Sequence, residues 1–310
     1  MIISASRRTD IPAYYSEWMV NRIKEGYVFV KNPMNIHQIS NIKLTPDIVD
    51  CIVFWSKNPK PLFEKLHVFT DYAYYFQFTL NPYDKDIEPI LPMKGDIIDT
   101  FRKLSELIGS HRVIWRYDPV LLNSRYSISY HIDKFADLAC KLRGSAKSVT
   151  FSFIDFYKKI TENIKVNGID EITIDEKIKI AENFSKSAKE NNLRINTCAE
   201  NIDLSKYNIK RARCIDDRLI AKITGYNINV DKDKNQRLEC GCVGSIDIGE
   251  YNSCDNGCIY CYANYSKNIV ENNIKNHNNF SPMLIGEVNG NSVITERKVV
   301  SNKMQQQELF

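Results

Sequence analysis

Cysteine placement constrains this chain more than any other feature. Seven of the nine cysteines lie between Cys198 and Cys261, and three of them form the run Cys254-Asp255-Asn256-Gly257-Cys258-Ile259-Tyr260-Cys261. Just upstream stands Cys240-Gly241-Cys242. A C-x-C pair and a C-x-x-x-C-x-x-C run are poor material for core packing. Thiolates on a short loop can instead converge on a soft metal or an iron–sulfur cluster without a large loop-closure cost. Three thiolates leave one iron of a cubane without a protein ligand, and an open iron is a place where a small molecule can bind. The three-then-two spacing differs from the paired C-x-x-C of a zinc ribbon. Gly257 allows the positive φ of a loop wrapped round a cluster, and it serves equally as an ordinary turn glycine.

Composition sets the context for that chemistry. In 310 residues, 43% hydrophobic and 26% charged content describe a globular chain with material for one large core or two smaller ones. Lys and Arg number 42 against 38 Asp and Glu, so the net charge of +4 does not by itself indicate a nucleic-acid binder. The longest apolar runs, such as Cys51 to Trp55, fall far short of the roughly 20 residues that span a bilayer. The N-terminal stretch lacks the apolar core of a signal peptide. The expected location is therefore the reducing cytoplasm, where nine cysteines are not a disulfide framework.

Ahead of the cysteine-rich region, strand and helix signals alternate. Strands are predicted at Ile2 to Ser6, Cys51 to Ser56, Ala73 to Leu80, Arg112 to Tyr117, Ser148 to Ile154 and Leu193 to Thr197. Helical faces fall at Tyr15, Trp18, Met19 and Ile23; at Ile97, Phe101, Leu104 and Ile108; and at Ile132, Phe135, Ala136, Ala139 and Leu142. Thr173-Ile174-Asp175-Glu176 is a capping-box pattern ahead of Ile178, Ala181, Phe184 and Ala188. Gly26 to Pro33 reads as a strand-like or hairpin insertion. This alternation defines an α/β fold, built either as a (β/α) barrel or as a doubly wound open sheet.

The cysteine run, with aromatic Tyr260 before its third cysteine, resembles the signature of radical S-adenosylmethionine enzymes. The whole chain, from Ser6-Arg7-Arg8-Thr9-Asp10-Ile11-Pro12 through Phe54-Trp55-Ser56-Lys57-Asn58-Pro59 to Asp247-Ile248-Gly249 and the cysteine run, resembles the bacterial family called domain of unknown function 1848. The resemblance implies a partial six-stranded (β/α) barrel of the TIM type over residues 1–200. After it come a cysteine-rich iron–sulfur segment over 201–266 and a tail over 267–310. It implies a 4Fe-4S cluster on Cys254, Cys258 and Cys261, with S-adenosylmethionine on the fourth iron. Reductive cleavage would then give a 5'-deoxyadenosyl radical acting on a substrate the sequence does not specify. An electron donor such as flavodoxin or ferredoxin is implied as partner. The superfamily carries this motif near its N-terminus, and here it lies in the last fifth of the chain.

Reactive groups of parallel α/β folds gather at the C-terminal ends of strands. By that rule Arg8, Asp10 and Lys57 are candidate catalytic or substrate-binding groups. Gln77, Thr79, Arg116 and Tyr260 are candidate cofactor contacts, Arg116 because a guanidinium fork matches a carboxylate. Each also has a plain structural use, Arg116 as an ion-pair partner of Asp118 or Asp155. Set aside the run, with Cys51 and Cys140 as core residues, and Cys198, Cys214, Cys240 and Cys242 remain. They are the number that completes one all-cysteine site, expected to hold a second 4Fe-4S cluster or a zinc ion, with unconnected buried thiols as the plain alternative. The five histidines do not cluster, and no P-loop or dinucleotide-binding glycine pattern occurs. Two other functions stay open: a zinc or iron–sulfur binding protein without radical chemistry, and a radical enzyme of nucleic-acid repair or modification. In the tail, Lys267 to Asn279 is expected to be an exposed linker. Leu284 to Val288 and Ser292 to Lys298 are expected to pair as a hairpin around Asn289-Gly290.

Overall fold

The computed structural model describes residues 1–304. In chain order it holds β1 (Ile2–Ala5), α1 (Ile11–Tyr14), α2 (Ser16–Glu25), β2 (Tyr27–Asn32), β3 (Asn35–Lys43), β4 (Cys51–Ser56) and β5 (Tyr74–Thr79). Then follow α3 (Lys94–Ile108), β6 (Val113–Val120), α4 (Ile128–Lys141), β7 (Ser148–Phe153), α5 (Thr161–Val166), α6 (Ile174–Glu190) and β8 (Arg194–Thr197). The last elements are β9 (Lys210–Arg211), α7 (Asp217–Thr224), β10 (Ile246–Asp247), α8 (Lys267–Lys275) and β11 (Val293–Glu296).

Eight strands form one parallel sheet in the order β10-β1-β4-β5-β6-β7-β8-β9. From β1 to β9 the strands are added in one direction, where a doubly wound sheet would turn back on itself. All six predicted strands are present, and two short ones, β9 and β10, extend the edges. At two residues each, they are too short for a period to show.

Both faces of the sheet are covered. Alternate residues Phe54, Phe76, Trp115 and Phe151 enter the main core beneath helices, where Phe135 of α4 stacks on Phe184 of α6 at 3.9 Å. The opposite parity, Ile2, Cys51, Val53, Tyr75 and Ile114, packs against Ala212, Cys214, Ile215, Ile220, Cys240, Cys242 and Val243. Thus the cysteine-rich segment fills the second face of the sheet, where Tyr75 Oη and Gln77 Nε2 both donate to Cys214 O at 2.7 Å. The capping box at Thr173 and Glu176 forms as predicted and starts α6.

The tail departs from expectation. Residues 267–275 form α8 instead of a linker, capped by the Ser266 side chain and anchored by buried Val270. The expected terminal hairpin is absent: β11 pairs parallel with β3, from Val293↔Gln38 to Glu296↔Asn41. Asn289 does form a turn, Ser292 N–H donating to Asn289 O at 2.9 Å. Residues 284–288 find no strand partner, because β3 offers a free edge to the segment after the turn. The insertion after Gly26 is a hairpin of β2 and β3. Among the described residues no helix is long and apolar enough to cross a membrane.

β10 seats the cysteine run. Asp247 accepts from Ser4 Oγ at 3.1 Å, from Arg7 N at 2.8 Å and from Gly249 N at 3.0 Å, tying the loop after β1 to the C-terminal segment. A Cβ at Gly249 would overlap the Ser6 side chain. Gly249→Ala is expected to cost about 1–3 kcal/mol through that clash, read as a lower midpoint in urea unfolding. An unchanged midpoint would show that Ser6 can move aside.

Candidate metal centre

The loop carrying Cys254, Cys258 and Cys261 lies over the C-terminal ends of β1, β4 and β5. Thr9 Oγ1 bonds Ser253 Oγ, Tyr15 Oη donates to Ser253 O, and Tyr14 Oη donates to Asn256 Oδ1 at 2.8 Å. Asn256 Nδ2 donates to Asp10 Oδ2 at 3.2 Å, and that oxygen also accepts Lys57 N–H at 2.8 Å. Ile259 N–H donates to Ile87 O at 3.2 Å, in the loop after β5. Gly257 takes φ +65° between the first two cysteines, so the turn does use its conformational freedom.

Cys254 and Cys258 are buried and Cys261 is partly so. Burial raises all three thiols, Cys258 to about 12 despite the nearby Lys57 ammonium. Backbone N–H groups point at two of the sulfurs: Asn256 at Cys254, and Ala263 and Asn264 at Cys261. Such donors stabilise a thiolate, which is the form a metal takes. Among the described residues no three His, Cys, Asp or Glu side chains are gathered as one metal ion would need. A cubane takes each thiolate on a different iron, so its ligands need not meet at a point. Three thiols on one loop, two of them buried and two with N–H donors, are the kind of donor set that a cubane takes at three of its corners.

Beside Cys258 lies a buried polar network. Lys57 Nζ reaches Glu88 Oε1 at 2.8 Å and Tyr260 Oη at 2.7 Å, and Lys94 Nζ reaches Glu88 Oε2 at 2.6 Å. Asn81 Nδ2 donates to Tyr260 Oη at 3.0 Å. Glu88 is 1% exposed. Burial alone would raise its carboxyl, but Lys57 and Lys94 outweigh that and pull it down to about 2. Burial would lower Lys57, and Glu88 with Cys258 outweighs it and raises the ammonium. Tyr260 thus anchors the cysteine loop through its hydroxyl. A cavity of about 850 Å³ between α3, α4 and the loop after β5 touches this network from outside, through Glu88 and Lys94, and no cysteine lines it.

The predicted site residues divide between two places. Asp10, Lys57 and Tyr260 gather at the first cysteine set. Asp10 also caps α1, accepting Ala13 N–H at 3.1 Å. Arg8 pairs with Asp247 at 3.2 Å and lies over the Tyr251 ring. Gln77 and Arg116 go with the second set instead: Arg116 Nη1 lies 2.8 Å from Cys214 Sγ while Nη2 pairs with Asp118. Thr79 ends β5 opposite Arg116. In the second set, Cys214 Sγ lies 3.5 Å from Cys198 Sγ, and Cys242 interacts with both Cys214 and Cys240. Hydrogen bonds from those two thiols lower Cys242, with Arg7 adding to the effect. Cys51 is buried in β4, as expected of a core residue, whereas Cys140 is exposed. That exposure corrects its assignment to the core, since its side chain leaves the face of α4 that packs on the sheet.

Sequence reasoning missed Glu88, Lys94 and Asn256 as members of the site. The one signal for Glu88 is a charge between Ile87 and Pro89. Its partners are distant in sequence, so nothing local marks it as buried.

Residues 2–263 match the family model described as Domain of unknown function (DUF1848). No curated protein matches the chain, and no solved structure matches it.

Proposed function

The chain belongs to the DUF1848 family, and from that premise and the geometry of its first cysteine set we propose that it is a radical S-adenosylmethionine-type iron–sulfur enzyme. What carries the reading is the seat of the Cys254–Cys261 loop. Buried thiols with backbone N–H donors sit over the C-terminal ends of β1 and β4, held there by Thr9, Asp10 and Tyr15. In this reading the one-directional sheet is the wall of a partial (β/α) barrel, whose inner face is filled by the segment around Cys214 and Cys242. A C-terminal loop then reaches the position at which relatives place an N-terminal one.

Cys254, Cys258 and Cys261 would hold a 4Fe-4S cluster whose open iron takes S-adenosylmethionine. When bound, the pair supplies one-electron cleavage of the sulfonium to a 5'-deoxyadenosyl radical. The chain's own residues fix and shield that place. Asp10 orients the loop through Asn256, and Lys57, held by Glu88, brings positive charge beside Cys258 and offsets the charge of thiolate ligands. Tyr260, anchored by Lys57 and Asn81, ties the cysteine loop to that network. Arg8, paired with Asp247 and lying over Tyr251, ties the loop after β1 to the segment that carries this cysteine loop. An external electron donor of the flavodoxin or ferredoxin kind completes the cycle. The cytoplasm is the compartment that suits it.

Anaerobic purification tests the proposal. The expected product is brown, holds about four irons at this set, changes its electron paramagnetic signal on adding S-adenosylmethionine, and releases 5'-deoxyadenosine under reductant. A reducible cluster that leaves S-adenosylmethionine intact would sink the radical reading and leave an iron–sulfur binding protein.

A further inference from the structure

Two cysteines outside the first set meet beyond the end of β8. Cys198 follows that strand directly, and Cys214 stands three residues past Arg211, the last of β9. Cys214 Sγ donates to Cys198 Sγ at 3.5 Å. From this contact we propose that Cys198 and Cys214 are a peroxide-reactive dithiol, which closes to a disulfide and is reopened by an external thiol.

Bonded sulfurs stand about 2.05 Å apart, so the pair has to close by about 1.5 Å. Side-chain rotation supplies such a movement while both backbones stay paired. Cys198 N–H donates to Phe151 O at 2.9 Å, and Ala212 N–H donates to Thr197 O at 2.7 Å. Cys214 O accepts from Tyr75 Oη and Gln77 Nε2, each at 2.7 Å. The two cysteines differ in access: Cys214 is 3% exposed, whereas Cys198 is partly exposed. Cys198 is therefore the one a small oxidant meets first, and Cys214 is held beside it to resolve the product. Arg116 Nη1 donates to Cys214 Sγ at 2.8 Å while Nη2 pairs with Asp118. A fixed positive charge thus stands beside the pair and offsets the negative charge of an attacking sulfur.

The chemistry runs in two steps. The Cys198 sulfur attacks the outer oxygen of a hydroperoxide: an S–O bond forms, the O–O bond breaks, and the leaving oxygen takes the thiol proton and departs as alcohol or water. Cys198 is then a sulfenic acid, oxidised by two electrons. The Cys214 sulfur next attacks the Cys198 sulfur: the S–S bond forms, the S–O bond breaks, and hydroxide leaves with the Cys214 proton as water. Two thiols have become one disulfide, and one hydroperoxide has been reduced by two electrons. Two molecules of an external thiol restore the pair through a mixed disulfide. Cys240 and Cys242 take no part. In a reducing compartment a bond of this kind is transient and reports the oxidant.

Hydrogen peroxide added to the full-length protein tests this. Peptide mapping of the wild type, which needs no variant to fold, should place a bond between Cys198 and Cys214, and dithiothreitol should return both thiols. Exposed Cys140 is the comparison within the same chain. On adding peroxide, Cys198 should lose its reactivity toward iodoacetamide at least about tenfold faster than Cys140. The triple variant C254S/C258S/C261S should form the same bond and lose two hydrogens per chain, whatever becomes of S-adenosylmethionine cleavage, so failure here is separate from failure of the enzyme reading. Both thiols still open to alkylation after peroxide, a bond from either of them to Cys240 or Cys242, a sulfinic acid at Cys198 with Cys214 left free, or iron with labile sulfide held by the triple variant would each overturn the proposal.

Discussion

In a Cys258→Ala protein prepared without oxygen, cleavage of S-adenosylmethionine is expected to fall by more than about 100-fold, since losing even an outer-shell partner costs 10–100-fold. Cys258 is the middle cysteine of the run and feels the Lys57 charge, and its removal leaves two thiols that cannot hold a cubane with a single open corner. Iron at this set should fall in parallel, while circular dichroism stays close to wild type because the loop's anchors at Thr9, Tyr15 and Asn256 are untouched. Release of 5'-deoxyadenosine at the wild-type rate would remove Cys258 from the role of ligand.

Glu88→Ala should give the largest loss of stability. The carboxylate is almost fully buried between two ammonium groups, and deleting it strands Lys57 among Tyr260, Asn81 and a thiol. Removing one member of such a buried pair costs about 3–5 kcal/mol, read from the midpoint of urea unfolding. Replacing Lys57 as well, as in Lys57→Met with Glu88→Leu, is expected to recover most of that, because the more buried of the two ammonium groups goes too, while Lys94 keeps partial access to water. If the double variant is no better than the single, the penalty arises from lost packing. The wild type carries the matching pH signature. Glu88 is pulled from 4.5 to about 2 in the folded state, so its contribution is fully present above pH 4.5 and fades as pH falls toward 2. The Glu88→Ala protein should lack that part of the acid transition.

Much of the fold can be read from residue order. The six long strands announce themselves through β-branched and aromatic runs, and α6 through its capping box. β9 and β10 could not be anticipated, since two residues have no period; they exist because neighbouring strands offer free edges. The tail departs from its sequence pattern for a related reason. Asn- and Lys-rich sequence looks like linker until Val270 finds a buried place, and β11 pairs with β3, which is more than 250 residues away in sequence. At the candidate site, the cysteine spacing singles out a loop to which the structure brings Asp10, Lys57 and Tyr260. What it left out was how Gln77 and Arg116, two strand positions apart in character but opposite in no local pattern, would meet Cys214. Strand order brings them there, and spacing within one strand carries no information about that.

The first cysteine set is held by residues from both ends of the chain. Thr9, Tyr14 and Asp10 meet Ser253 and Asn256 across separations of 242 to 246 residues. During synthesis the N-terminal half of that seat emerges first and waits for nearly the whole polypeptide before its cysteines arrive. A chain cut short before residue 254 therefore holds the docking surface and none of the thiols. Any use of this loop's thiols has to wait until residues 253 to 261 have met the segment around Thr9 and Asp10.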